Sequence, residues 1–340
     1  MTSRMHEEAS SAPRAAAKLL AENREDYRAL GAALRSAPPS GIATVARGSS
    51  DHAAAYCAYL MTVRLGRLVT SLPMSLVTLY HAPLAAERML LVAISQSGRS
   101  PDVVEPVRVL RAGGATTVAI VNEEASPLAG AAEWVLPLHA GAERSVAATK
   151  SFVCSLVAAA RLTACWSSAE DLVRTLEGLP EDLERACAQD WSSAVEPLAA
   201  SEKLMVLARG LGLSIAKEAA LKLKETCGIQ AEAFSAAEVR HGPQALIEAG
   251  YPLLAFALRG PAQAEILALA AEMRQRGAKV LLAAPSDVPE RDLTLATTAS
   301  EHLDPIAAIQ SFHLLAEAVS RARHRDPDHP PFLKKVTTTH

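Results

Sequence analysis

The chain has 340 residues, which is enough for two domains that each bury a core of their own. Half of the residues are apolar, 4% are aromatic, and the formal net charge is −3, which gives no electrostatic basis for binding nucleic acid or an anionic membrane. The polar N-terminus is unlike a secretory signal, and no uninterrupted apolar run reaches the roughly 18 residues of a membrane-spanning helix.

The five cysteines have no spacing typical of metal ligands. They are Cys57, Cys154, Cys165, Cys187 and Cys227. An odd set of thiols in mostly apolar helical stretches favours reduced cysteines. We therefore expect a cytoplasmic protein without metal or other cofactor, and with neither nucleic acid nor membrane as a partner.

The first half of the chain alternates short apolar runs with amphipathic stretches. Residues 1–35 predict a helix that is interrupted once, at Pro13, and a turn follows at residues 37–41. The apolar runs after it are residues 42–46, 68–72, 89–95, 116–121 and 133–138. Because these runs are continuous, they predict strands buried on both faces, as in a parallel sheet. The stretches between them have helical spacing, so repeated strand–helix units predict a doubly wound α/β fold.

The same pattern restarts in the second half, after a mostly helical connection over residues 147–200. Apolar runs recur at residues 204–210, 252–258 and 278–284. Residues 44–60 and 206–223 also resemble each other as strand, Ala-Arg-Gly, short loop and helix, which favours two copies of one domain. The predicted organisation is an N-terminal helical segment at 1–35, a first domain at 36–180, a second domain at 181–325 and a tail at 326–340.

Two serine-rich loops follow strands of the first predicted sheet. Gly48-Ser49-Ser50 comes after residues 42–46, and the run from Ser95 to Ser100 comes after residues 89–95. Each loop precedes a helix, whose free N–H groups and partial positive charge suit a phosphate dianion. The alternative is that Ser50 and Ser100 are ordinary helix N-caps. Two such loops on one sheet favour a phosphate site, and neither carries a nucleotide-binding glycine motif.

Charged residues gather in a second constellation, between residues 217 and 243. On a helix, Glu218, Lys222 and Glu225 share one face, at spacings of four and three. The usual meaning of this pattern is a solvated salt-bridge face. His241 alone would likewise be an ordinary polar residue, but it precedes Gly242-Pro243 in a turn-rich segment. A carboxylate and an imidazole in this setting favour proton-transfer chemistry.

Five segments together resemble one known family. They are SQSGRSPD, SVAATKSF, EAALKLKE, AEAFSAAEVRHGP and the terminal LKKVT. The chain resembles the tandem sugar isomerase (SIS) domains of the isomerase half of glucosamine-6-phosphate synthase, and within this family it is most similar to stand-alone SIS-type glucosamine-6-phosphate deaminases. The resemblance covers nearly the whole chain. It implies two flavodoxin-like α/β domains with an N-terminal helix and an extended C-terminal tail.

The resemblance also implies roles for individual residues. The phosphate-binding positions are Ser50, Ser95, Gln96, Ser97 and Ser100. Glu225 matches the carboxylate that moves a proton between carbons 1 and 2, and Glu218 and Lys222 match residues that line the same site. His241 matches the histidine that opens the sugar ring from the neighbouring subunit, which implies a homodimer.

Three more residues receive substrate roles from the resemblance. Val146 and Ala147 match positions that contact the sugar, while Ala148 replaces a serine that is frequent in the family. Lys335 matches a C-terminal lysine that lies against the sugar carbonyl, although the spacing after it differs from the family by one residue. Composition alone favours a frayed terminus for the proline-rich tail, and the resemblance replaces that expectation.

The implied function is glucosamine-6-phosphate deamination, and several alternatives stay open. A synthase would need a glutamine-hydrolysing domain with an N-terminal cysteine, whereas this chain begins Met1-Thr2 and its first cysteine is Cys57. A non-catalytic sugar-phosphate sensor would need only the serine loops. Other amino-sugar-phosphate deaminases, a deglycase or a plain ketose–aldose isomerase would use the same residues.

Overall fold

The computed structural model describes residues 2–335 and contains two compact units. The N-terminal unit comprises Arg14–Glu143 and Lys150–Glu177, together with Lys334 and Lys335. The C-terminal unit comprises residues 2–13, Arg144–Thr149 and Gly178–Leu333. Each unit thus draws on separate stretches of the chain, and the domain limits expected at residues 35, 180 and 325 stay predictions.

The N-terminal unit is built on a five-stranded sheet in the order β2-β1-β3-β4-β5, in which every pairing is parallel. The strands are β1 Gly41–Val45, β2 Val69–Ser71, β3 Met89–Ser95, β4 Thr116–Val121 and β5 Trp134–Pro137. Its helices after β1 are α4 Ser49–Leu65, α5 Ser75–Thr78, α6 Pro101–Ala112, α7 Pro127–Ala131, α8 Lys150–Ser167 and α9 Glu170–Glu177. Strand residues such as Leu91 and Val121 pack with Val107 of α6 in one buried apolar cluster, and β3 is buried at every position after Met89, so the continuous apolar runs do form strands covered on both faces.

The C-terminal unit repeats this architecture, with the order β10-β9-β8-β6-β7 and parallel pairing throughout. The strands are β6 Lys203–Ala208, β7 Gln230–Ser235, β8 Pro252–Phe256, β9 Lys279–Ala284 and β10 Leu293–Thr294. The α-helices from residue 179 on are α10 Leu179–Cys187, α11 Val195–Ala199, α12 Gly212–Lys222, α13 Ala236–Val239, α14 Gln263–Gln275 and α15 Asp304–Ala322. Short 3-10 helices cover Ser192–Ala194 and Pro243–Leu246. Counted from its own first strand, this sheet has the same strand order as the other one, which confirms the predicted tandem α/β fold.

The helical N-terminus differs from the prediction. Three helices occur, α1 Arg4–Ser10, α2 Ala12–Ala21 and α3 Arg24–Ser36, so the breaks fall near Ser11 and Asn23. Pro13 is the second residue of α2, not a break. A proline is tolerated in a first helical turn because the N–H that it lacks has no intrahelical partner there.

Two strands were not predicted from the sequence. Strand β7 carries the segment Gln-Ala-Glu-Ala-Phe-Ser, in which polar and small residues hide the strand pattern. Strand β10 is only two residues long. In the part of the chain that the structure describes, no helix is both long enough and apolar enough to cross a membrane.

Candidate active site

The two serine loops lie at neighbouring strand ends of the N-terminal unit. Strands β1 and β3 pair in parallel, with Val45 opposite Ala93, so both strands end at the same edge of the sheet. The chain proceeds to opposite sides of the sheet from these two strands, which makes their carboxyl ends the topological switch point. Ligands of open α/β sheets bind at this point. The structure thus places both serine loops at one edge of the sheet, and their binding of a phosphate stays a prediction.

The helix starts show how the serines are used. Helix α4 begins at Ser49 with Gly48 as its N-cap, so Ser50 lies inside the first turn and the N-cap alternative is wrong for it. Ser100 does occupy the N-cap position of α6, but its hydroxyl makes no capping hydrogen bond to the helix. Capping therefore does not account for either hydroxyl.

The loop from Ser95 to Ser100 is held in shape by its own groups. The buried Ser95 Oγ accepts a hydrogen bond from the Gly98 amide at 2.9 Å, and Ser97 Oγ lies 3.4 Å from the Arg99 amide. Gly98 has φ +61°, and a Cβ atom there would lie 2.2 Å from Ser126 Oγ. A side chain at position 98 would therefore displace the loop. The side chains of Gln96, Ser97 and Ser100 are partly accessible to solvent.

The charged residues of the C-terminal unit form a buried cluster. Lys222 Nζ lies 3.4 Å from Glu218 Oε1 and donates a hydrogen bond to Glu225 Oε2. The side chains of Lys222 and Glu218 are fully buried, whereas that of Glu225 is 22% exposed. The expected alternative, a solvated salt-bridge face, is therefore wrong. Glu225 is the one carboxylate of this cluster that a ligand can reach.

Burial and the neighbouring carboxylates shift the pKa of Lys222 in opposite directions. Burial alone would lower the pKa of its ammonium, but Glu218 and Glu225 outweigh burial, and the pKa of Lys222 lies above its usual value. The lysine therefore stays charged at neutral pH. The cluster therefore places one ammonium between two carboxyl side chains.

The backbone turns in an unusual way at Glu225. Helix α12 ends at Lys222 and continues as a π-helical turn over Leu223–Cys227. Helix α15 holds this turn, since Ser320 Oγ donates to the Thr226 carbonyl oxygen at 2.9 Å and Cys227 Sγ to the Ala316 carbonyl oxygen at 3.3 Å. Such turns are frequent at functional sites. The sequence predicted that Glu218, Lys222 and Glu225 share one face of a regular α-helix, and it did not predict this π-helical turn.

His241 does not join the cluster. It lies in an exposed turn after α13, where its backbone amide donates to the Glu238 carbonyl oxygen at 2.9 Å. Within residues 2–335 its ring makes no hydrogen bond or ion pair. Its imidazole is therefore exposed and separate from the Glu218–Lys222–Glu225 cluster.

The loop that carries Val146 and Ala147 is fixed by residues that the sequence did not single out. The buried Glu8 carboxylate of α1 accepts hydrogen bonds from the amides of Arg144 and Ser145. The backbone carbonyl oxygen of Asp328, near the end of the chain, accepts a hydrogen bond from the Val146 amide. No motif marks Glu8 or Asp328, since their role depends on contacts more than 130 residues away along the chain.

The side-chain carboxylate of Asp328 has a separate role. It accepts hydrogen bonds from the amides of Arg4 and Met5, at 2.9 Å and 2.7 Å. Asp328 therefore ties the start of α1 to the end of the chain.

Lys335 forms an ion pair in the N-terminal unit. Its Nζ lies 3.1 Å from Oε2 of Glu143, whose side chain is fully buried. Glu143 also accepts the amide of Ser151 at 3.1 Å, at the start of α8. The buried carboxylate thus orders the lysine, and sequence reasoning did not single out Glu143. Within the described residues no three His, Cys, Asp or Glu side chains are grouped in a way that could hold a metal ion.

Comparison with known proteins identifies the family. Residues 37–164 and 197–319 match the SIS domain family. The chain belongs to the SIS domain family. It is 35% identical over 347 residues to the isomerizing glutamine–fructose-6-phosphate aminotransferase of Aeropyrum pernix, an alignment that covers 96% of this chain and 55% of that protein. The chain therefore spans about half the length of the curated relatives that it matches.

Solved structures with the same fold agree with this assignment. A protein from Silicibacter pomeroyi DSS-3, described as a candidate phosphosugar isomerase, has a TM-score of 0.91 and 41% identity, with 96% of this chain and 100% of that chain covered. The C-terminal domain of glucosamine-fructose-6-phosphate aminotransferase from Francisella tularensis has a TM-score of 0.87 and 25% identity, with coverage of 97% and 99%. The family resemblance drawn from the sequence is confirmed.

Proposed function

We propose that this SIS protein is a glucosamine-6-phosphate deaminase, which converts glucosamine 6-phosphate and water to fructose 6-phosphate and ammonia. The relatives support an enzyme that acts on a sugar phosphate, since they are named as fructose-6-phosphate aminotransferases and as a candidate phosphosugar isomerase. The observation that carries the proposal is the buried Glu218–Lys222–Glu225 cluster, which leaves one reachable carboxylate on a π-helical turn.

The phosphate would be held by the loops at the switch point of the N-terminal unit. The starts of α4 and α6 offer N–H groups, and Ser50, Gln96, Ser97 and Ser100 add donors without bulk. Ser95 acts mainly on the loop itself, because its hydroxyl oxygen already accepts the Gly98 amide.

Glu225 would move the proton that isomerisation requires. Once His241 has opened the ring, Glu225 takes the proton from carbon 2 and returns it to carbon 1, while a proton passes from nitrogen to oxygen 1. The product is a ketose imine at carbon 2. Water adds to this imine, and ammonia leaves. Lys222 would hold Glu225 in place through their hydrogen bond.

Lys335 would stabilise the carbonyl oxygen of the open sugar. An ammonium beside the buried Glu143 carboxylate is a fixed positive charge, which suits an oxygen that gains negative charge during enolisation. No step calls for a metal ion.

The direct test is product analysis. Purified protein without added metal should release ammonia and fructose 6-phosphate in equal amounts from glucosamine 6-phosphate, and glutamine should not change the rate. Galactosamine 6-phosphate and fructosamine 6-phosphate belong in the same assay, because the residues named here do not fix the configuration at carbon 4. Isomerisation of a plain hexose phosphate without ammonia, or binding of amino sugars without turnover, would contradict the deaminase assignment.

Ser97→Ala should weaken sugar-phosphate binding by about 1.5–3 kcal/mol, the contribution of one hydrogen bond to a charged group. The fold should not change, since Ser97 is partly exposed and its hydroxyl makes only a long contact with the Arg99 amide. The Michaelis constant for the phosphorylated sugar is the measurement, and Ser71→Ala, on an exposed serine of β2, is the control. An unchanged Michaelis constant would exclude Ser97 from phosphate binding.

Mixed dimers should recover activity if His241 acts on the neighbouring subunit. Glu225→Gln and His241→Ala chains are each expected to be inactive, but a mixed dimer of the two contains one intact site. Refolding the variants together should therefore restore part of the ammonia release, with each variant refolded alone as the control. A fully active monomer, or mixtures that never recover activity, would show that His241 does not act across an interface.

A further inference from the structure

An arginine beside the serine loops has no role in the proposal so far. Arg47 follows β1 and directly precedes Gly48, the N-cap of α4. Its Nε donates to Asp102 Oδ2 at 2.7 Å, and Asp102 lies in the first turn of α6. The Asp102 side chain is 1% exposed, whereas that of Arg47 is 56% exposed. A buried carboxylate therefore anchors an accessible guanidinium between the loop after β1 and the helix after β3.

The ion pair between Arg47 and Asp102 uses only the Nε atom of the guanidinium. Asp102 is reached through Nε, and within residues 2–335 the two terminal nitrogens of Arg47 make no hydrogen bond to the protein. Arg259 in the C-terminal unit shows the opposite arrangement, since it binds Asp304 through Nε and Nη2 and also donates to the Thr298 carbonyl oxygen. The terminal nitrogens of an arginine match two phosphate oxygens at once.

The internal repeat supplies an equivalent pair for comparison. Arg209 follows β6 as Arg47 follows β1, and it pairs with Glu265 in the first turn of α14, the helix after β8. Here the pair forms through the terminal nitrogen Nη1, and the adjoining loop reads Gly-Leu-Gly where the first copy reads Gly-Ser-Ser. The arginine–carboxylate pair is thus common to both copies, but the free terminal nitrogens and the serines occur together only in the first.

We infer that Arg47 is a further phosphate-binding residue, which contacts the substrate phosphate through its two terminal nitrogens. Asp102 is a positioning residue that fixes the guanidinium at the loop. This inference rests on the proposed phosphate site at β1 and β3. A guanidinium adds a full positive charge beside the serine hydroxyls and the helix N–H groups, so the ligand class is a sugar with a dianionic phosphate, not a free sugar.

Calorimetric binding of inorganic phosphate and glucose 6-phosphate to the full chain tests this role. Arg47→Ala should weaken binding of both ligands about 10- to 100-fold, as expected for a lost charge-assisted contact. In turnover the change should appear in the Michaelis constant, with kcat retained at saturation. Asp102→Asn should raise the Michaelis constant in the same way but less, because the arginine remains.

The matched control is Arg209→Ala, which removes the equivalent pair from the other copy and should leave phosphate binding unchanged. Should Arg47→Ala not fold, Arg47→Gln is used, since it keeps an N–H donor for Asp102 and removes the charge. Wild-type affinity in either Arg47 variant would overturn the inference while leaving the proposed function intact. Failure of the wild-type protein to bind phosphate or any sugar phosphate would refute the phosphate site, and the inference with it.

Discussion

Glu225→Gln should abolish ammonia release while sugar-phosphate binding keeps its wild-type strength. An amide has nearly the size and hydrogen-bonding reach of a carboxylate, but it cannot accept the proton from carbon 2. Loss of a general base costs about 10²- to 10⁴-fold in turnover. The phosphate loops belong to the N-terminal unit and Glu225 to the C-terminal unit, so the substitution leaves the proposed phosphate donors unchanged.

This variant should also fold normally. In the wild-type cluster one buried ammonium faces two carboxylates, and after substitution Lys222 still faces the buried Glu218. Turnover is followed as ammonia release, binding by calorimetry with glucose 6-phosphate, and folding by urea denaturation. Glu232→Gln, on an exposed glutamate of β7, is the control and should behave as the wild type. Appreciable ammonia release by Glu225→Gln would mean that another group moves the carbon-bound proton.

The tandem sheets could be predicted from the sequence because their signals are local. Each buried parallel strand is a continuous apolar run, and the loops at Gly48 and Ser95 follow two of these runs. Neighbouring parallel strands end at one edge, so the location of the serine loops followed from the strand pattern alone. The missed strand β7 lacks this signal, because it is the edge strand of its sheet and carries polar residues among its apolar ones.

The environment of the charged residues could not be predicted in the same way. Helical spacing places Glu218 and Lys222 on one face, but it does not tell whether that face is solvated or buried. The π-helical turn at Glu225 depends on contacts with α15, about 90 residues away along the chain. The roles of Glu143 and Asp102 as ion-pair partners could not be predicted either, because each pairs with a residue at least 50 positions away along the chain.

Lys222→Met should strongly destabilise the protein. Methionine fills the space of the buried lysine stem, but it leaves Glu218 and Glu225 facing each other without a cation. Removing one partner of a buried ion pair costs about 3–5 kcal/mol, because the remaining charge stays buried and uncompensated. Urea denaturation should therefore show a midpoint well below that of the wild type, and the variant should also release no ammonia, since Glu225 loses the group that holds it.

Matched variants separate this charge effect from a general loss of packing. Lys217→Met lies on the same helix but replaces an exposed lysine, so its stability should stay close to that of the wild type. Adding Glu218→Gln to Lys222→Met removes the fully buried unpaired charge, and it should recover a large part of the lost stability. No recovery would mean that packing, not charge, dominates the cluster.

The pH dependence gives a second check on the same lysine. The pKa of Lys222 in the folded protein lies above its usual value of about 10.4, because the two carboxylates outweigh burial. A group whose folded pKa is raised contributes stability that is fully present below its unfolded pKa and is lost as the pH rises through the folded pKa. The stabilisation of Lys222 should therefore be constant between about pH 6 and pH 9 and should fall only in strong alkali. A stability gap between wild type and Lys222→Met/Glu218→Gln that already closes near pH 8 would show that Lys222 titrates there and is not held charged by its two glutamates.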